Sequence, residues 1–148
     1  AGLFEAKREW MPRLLDLDVA AAMEVAEEII RWVDRASAER SETKSGVEMN
    51  ANRRRFHGLV LGQMMAFYRD ALVLTAGAAD VPLVHEDQRG EVERLAGRLD
   101  QRTAGRAIAV LQKSQRFLDQ NVHITLTIEN ALIQLSRLAV RPKPAVLR

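Results

Sequence analysis

Residues 117–138 run Phe117-Leu-Asp-Gln-Asn-Val-His-Ile-Thr-Leu-Thr-Ile-Glu-Asn-Ala-Leu-Ile-Gln-Leu-Ser-Arg-Leu138. Two periods compete in them. Ile124 to Ile128 alternate apolar and polar β-branched residues, the pattern of a half-buried strand. Ile128, Ala131, Leu132, Leu135, Leu138 and Ala139 recur at three and four, the stripe of a helix. The helical set lasts three turns, whereas the alternation lasts five residues. A strand would also need a partner, and no other segment alternates, so its backbone groups would go unpaired. The spacing therefore predicts a helix over about 124–138, with the β-branched residues crowded into its first turn at a cost of about half a kcal/mol each. Asp119-Gln120-Asn121 breaks the helix before it.

With that ambiguity settled, the rest of the chain reads as helical. Leu3 to Leu14 has the apolar spacing of a short helix that Pro12 disturbs. Asp18 is placed as an N-cap, and Val19, Ala22, Met23, Ala26, Ile30 and Val33 form a stripe to about Arg35. Residues 36–52 are small, polar and aperiodic, which predicts a flexible loop. A long helix follows from Arg53 to Ala76. Phe56, Leu59, Val60, Met64, Phe67, Ala71 and Leu74 lie on one face and Leu61, Met65, Tyr68 and Leu72 on another, which makes it the central helix. Gly77 closes it, and 78–84 connect to a shorter helix over about Glu86–Leu99. Asp100 can cap the next, whose stripe is Ala104, Ala107, Ile108, Leu111 and Leu118. Two prolines predict an extended tail over 140–148. The expected fold is all-α, one bundle of five or six helices.

Composition bounds the function. At 148 residues the chain suffices for one domain with its own core. The absence of cysteine removes thiolate metal sites and thiol nucleophiles, and fits a cytoplasmic protein. A net charge of +2 gives no strong field for nucleic acid. Leu59 to Ala79, the longest apolar region, is interrupted by Gln63, Arg69 and Asp70 and suits a buried helix better than a membrane span. The chain opens Ala-Gly without an initiator methionine, which suggests the C-terminal piece of a longer protein.

No phosphate loop, dinucleotide fingerprint, nucleophile elbow or HExxH motif is present. His85, Glu86 and Asp87 are adjacent candidate metal ligands, the basis of a metal-dependent enzyme reading. Neighbouring helical positions diverge, however, and a helix start explains the two acids. His57 and His123 suit packing or capping. Arg53, Arg54 and Arg55, with Lys44, are candidate phosphate contacts for a helical nucleic-acid-binding module, although three cations at a helix start oppose the macrodipole. Gly58-Leu-Val-Leu-Gly62 has the small-residue spacing of close helix crossing.

Residues 117–135 also resemble the end of bacterial DNA polymerase III clamp-loader subunits, delta-prime especially, with the related gamma/tau subunits sharing a similar ending. There the last two helices follow aromatic-Leu-acid-x-Asn-x-Asn-Pro-basic-Leu-x-Leu-Glu-Asn-Leu-Leu-Leu-x-Leu. Phe117-Leu118-Asp119-Gln120-Asn121 matches the first part, and Leu126-Thr127-Ile128-Glu129-Asn130-Ala131-Leu132-Ile133-Gln134-Leu135 the second. Tyr68-Arg69-Asp70 resembles the aromatic-Arg-Asp of that family's central helix. The Asn-Pro-basic turn is His123-Ile124-Thr125 here, so a proline that pre-sets the helix start is missing.

The resemblance implies a collar domain that joins other clamp-loader subunits while separate ATPase-type modules handle nucleotide, clamp and DNA. It implies no catalysis, cofactor, metal, membrane or small-molecule substrate for these residues, and no direct DNA contact. Tyr68, Arg69, Asp70, Phe117, Asn121, Leu126, Glu129, Asn130 and Leu132 are then the family-motif residues and the candidates for contact with neighbouring subunits.

Overall fold

The computed structural model describes residues 2–43, 45–78, 80–120 and 123–138. Six α-helices and no strand occur among them: α1 (Leu3–Arg13), α2 (Val19–Arg40), α3 (Gly46–Thr75), α4 (Arg89–Arg98), α5 (Gln101–Asp119) and α6 (Ile124–Leu138). The strand-like stretch is helical, and β-branched Thr127 shows how. Its hydroxyl donates to the His123 carbonyl at 2.8 Å, and its N–H reaches the same oxygen at 3.0 Å. His123 Nδ1 also accepts, at 3.4 Å, from the N–H of Leu126. His123 thus receives N–H groups at the helix start, while Ile124 stands where the family pattern has proline. Asn121, Ala139 and the extended tail expected over 140–148 lie outside the described residues.

Helix α3 is the axis of the bundle. It packs against α5, α2, α4 and α1, while α2 and α5 also pack against α6. Val60, Leu61, Met64, Phe67, Tyr68 and Ala71 are buried, so both apolar faces are largely consumed by the chain's own core. Leu59 is the exception, exposed on the outer side. Gln115 Nε2 of α5 donates to the Gly58 carbonyl at 3.1 Å, yet a Cβ at Gly58 would meet open space and one at Gly62 only ordinary contact with Gln115 at 3.7 Å. The small-residue spacing therefore does not mark a close helix crossing here. An aromatic chain ties the first three helices together, with Trp10 edge-on to Trp32 at 5.6 Å and Trp32 edge-on to Phe56 at 5.9 Å.

Asp18 caps α2 by accepting the Ala21 N–H at 2.7 Å, and Asp100 caps α5 by accepting that of Thr103 at 2.7 Å. Gly77 sits at φ +72°, the left-handed position that ends a helix without Cβ strain. Pro12 is accommodated near the end of α1, where the chain passes into a 3-10 turn over Leu14–Asp16.

Three further expectations are corrected. The loop over 36–52 contracts to residues 41–45, because α2 runs on to Arg40 and Ser45 caps α3 at Gly46. Glu48, one turn into α3, folds back to accept the N–H groups of Glu42 at 2.8 Å and Thr43 at 3.0 Å, and the Thr43 hydroxyl as well. The buried stripe of α2 is rotated: Val25, Ile29 and Trp32 are inward, whereas Val19 and Met23 are exposed. Its core contacts come from both α3 and α6, so the buried face is set by two neighbours rather than by the most apolar row. Finally, α4 begins at Arg89, after a 3-10 turn over Glu86–Gln88.

The cap at Asp18 is separable from the core because its side chain is exposed. Asp18→Ala is expected to lower unfolding stability by about 1 kcal/mol. Urea denaturation should show the midpoint falling with an unchanged slope.

Candidate functional site

The Tyr68-Arg69-Asp70 motif resolves into a clamp on the connector between α3 and α4. Asp70, with no exposed surface, accepts the backbone N–H of His85 at 2.7 Å on Oδ2. Its Oδ1 accepts the N–H of Val84 at 3.0 Å and Arg69 Nη1 at 2.9 Å. Arg69 continues to the Pro82 carbonyl at 2.9 Å. A helix step of 100° separates the two side chains, so the arginine approaches the carboxylate from the surface while the connector meets it from beneath. Tyr68 is buried beside Phe67.

His85, also without exposed surface, is held through both ring nitrogens. Nε2 lies 2.8 Å from the Gln63 carbonyl and Nδ1 lies 2.8 Å from Lys7 Nζ. A carbonyl can only accept and an ammonium can only donate, so the ring is neutral with its proton on Nε2. Burial, opposed in part by its hydrogen bond to Gln63, holds its pKa below the ordinary histidine value. Lys7 also pairs with Asp87 at 3.0 Å. Burial works against the Asp87 charge, but the hydrogen bond and charge of Lys7 outweigh it and leave its pKa below the ordinary value. Glu86 points away, to Arg89 at 2.7 Å. His85, Glu86 and Asp87 therefore serve three different contacts, and no group of three or more His, Asp or Glu among the described residues is placed to hold a metal ion. Lys7 and Gln63 were not foreseeable, since Lys7 lies 78 residues from its partner His85.

Arg53, Arg54 and Arg55 fall inside α3 rather than at its start, which removes the conflict with the macrodipole. They also diverge. Arg53 pairs with Asp34 at 2.9 Å, Arg54 is half-buried and Arg55 is exposed. Arg53, Arg54, His57 and His123 line a cleft of about 400 Å³ together with Asp34 and Asn50. His57 is buried there, and desolvation lowers its pKa to about 4. Lys44 lies outside the described residues.

Among the motif residues of the last two helices, Leu132 is in the core, and like Tyr68 it leaves no area for a partner. Phe117 is half-buried under Lys113, whose ammonium stands 5.7 Å from the ring centroid. Leu126 is 62% exposed, Asn130 exposed and Glu129 half-buried. Among the described residues, no helix is long and apolar enough to cross a membrane.

Asp70→Ala should strip two backbone N–H groups of their acceptor and cost about 2–4 kcal/mol, with Asp70→Asn milder, measured by chemical denaturation. Acid should also destabilise the fold. His57 and His85 are neutral when folded and titrate near 6.5 when unfolded, so the unfolded chain takes up more protons as pH falls. Stability is then fully present above about pH 7 and declines below about pH 6.5, with His57 accounting for roughly 3 kcal/mol by pH 4. Melting temperature measured across pH should follow that decline, and His57→Phe should flatten it.

A model of the family described as "DNA polymerase III, delta subunit, C terminal" matches residues 51–137. No curated protein and no solved structure matches the chain. The matched stretch runs from the second turn of α3, through the Asp70 clamp, α4 and α5, to Arg137 in α6. Covering more than half of the sequence, it shows that the chain belongs to the family of C-terminal domains of the DNA polymerase III delta subunit, which are non-catalytic clamp-loader domains.

Proposed function

We propose that the chain is the collar, or oligomerisation, domain of a cytoplasmic clamp-loader subunit of the delta-prime type, supporting assembly of the complex that loads the sliding clamp in DNA replication. The observation that carries the clamp-loader part of this reading is the family match over residues 51–137, whose description names the delta subunit. The narrower delta-prime assignment is supported by the Tyr68-Arg69-Asp70 helix and the Leu126 to Leu135 stretch. Its partners are the other clamp-loader subunits. Nucleotide handling belongs to the ATPase-type modules of such complexes and not to these residues.

The geometry favours neither rival. A phosphate grip by Arg53, Arg54 and Arg55 would need convergent side chains, and one of the three is already committed to Asp34. A metal-dependent enzyme at His85, Glu86 and Asp87 would need free ligands, and both His85 nitrogens are occupied.

The reading is tested by mixing the full-length chain with the remaining subunits of the same clamp loader and following size-exclusion elution. Co-elution in a stoichiometric complex is the expected result. Separate elution of the chain from every subunit would sink the assembly role.

A further inference from the structure

The small net charge conceals a segregated distribution. Residues 1–100 hold fourteen Lys or Arg against eighteen Asp or Glu, a net of −4, whereas residues 101–148 hold eight against two, a net of +6. The structure separates the halves further. Every ion pair among the described residues uses a cation from the first hundred. Arg102, Arg106, Lys113 and Arg116 on α5 and Arg137 on α6 are all exposed, and none pairs with an acid of the described chain. Steps of 100° put the four α5 cations within an arc of about 80° along about 21 Å of helix. One side of α5 is therefore a basic ridge that no acid among the described residues pairs with.

Beside the ridge lies an apolar trough of about 370 Å³ between α5 and α6, floored by Ala109, Val110 and Leu138 and flanked by Arg106 and Arg137. Leu126, Asn130 and Arg137 share the outward side of α6, adding a further exposed apolar residue. An apolar strip between arginines has the anatomy of a protein interface, where arginine is enriched and lysine depleted, and four of these five cations are arginine. Nucleic-acid phosphates would use the charges but gain nothing from the trough.

We infer that the outer face of α5 and α6, centred on the Ala109–Val110–Leu138 trough, is a docking surface for an acidic helical face with an apolar centre on a neighbouring clamp-loader subunit. The inference rests on the assembly reading above and adds to it which face docks and what chemistry it meets. Arg106 and Arg137 flank the trough and orient the partner through its carboxylates, while Arg102 and Arg116 extend the attraction beyond it.

The test compares the full-length wild-type chain with R106E/R137E and with R40E, which reverses an exposed cation on α2. Each is mixed with the remaining clamp-loader subunits in about 0.1 M salt, where charge pairing is weakly screened. The expected result is co-elution of wild type and R40E, at least about tenfold weaker association of R106E/R137E, and weakening of the wild-type complex at about 0.5 M salt. All three positions are exposed, so circular dichroism should show the same helicity for every variant.

Co-elution of R106E/R137E at wild-type affinity would overturn the docking face and leave the assembly role standing. Failure of the wild type to join any of the other subunits would overturn both. Binding of a short DNA duplex that R106E/R137E abolishes would assign the face to nucleic acid, and self-association that R106E/R137E abolishes would assign it to a second copy. Either result also overturns the proposal.

Discussion

A carboxylate without solvent contact organises the middle of this domain. Burying the carboxylate of Asp70 is unfavourable unless its oxygens find donors, and three converge on it: two N–H groups of the connector and the guanidinium of Arg69. Once the connector is fixed, the His85 side chain is directed between Gln63 and Lys7, which ties α1 to α3. Helix α4 then starts at a defined place, and its last turn is fastened to the first part of the chain where Arg98 donates to the Leu15 carbonyl at 2.6 Å. Local backbone satisfaction and global helix placement thus pass through one side chain.

Around this polar node the core is held by ordinary apolar packing on several sides of α3. The contrast with the surface is informative. Nearly all the polar bonding that joins distant segments lies among α1, α2, α3, the connector and α4, while α5 and α6 meet the bundle chiefly through apolar residues such as Leu111, Leu118, Ile128 and Leu132. The latter two helices consequently keep most of their charged side chains for the outside. That division fits a domain whose work is contact rather than chemistry.

Much of this was legible because it is written locally. Asp18 and Asp100 announce helix starts, Gly77 a helix end, and the three-turn stripe of α6 outweighs five alternating residues. The start of α3 was equally local and still misread. Ser45-Gly-Val-Glu48 has the spacing of a capping box, but the polar composition around it suggested a loop. What could not be read is whatever depends on distant partners: Lys7 under His85 and the rotation of α2 towards Trp32. The charge segregation was present in the sequence but averaged away in the net value, and its meaning required knowing which cations lacked partners. The motif residues illustrate both limits, since Tyr68-Arg69-Asp70 was recognised as a pattern while its clamp on the connector became visible only in three dimensions.

The position of α2 has a consequence for what counts as the domain. The family match begins at residue 51, after α1 and α2 and within α3. Yet Val25, Ile29 and Val33 of α2 are buried, α2 packs on both α3 and α6, and Trp10 reaches Trp32 from α1. The stretch shared across the family is thus smaller than the piece of chain that can hide its own apolar surface. Cut to the boundaries of the shared stretch, the polypeptide would retain its family signature and lose the wall of its core, so the heritable unit and the cooperative unit do not coincide.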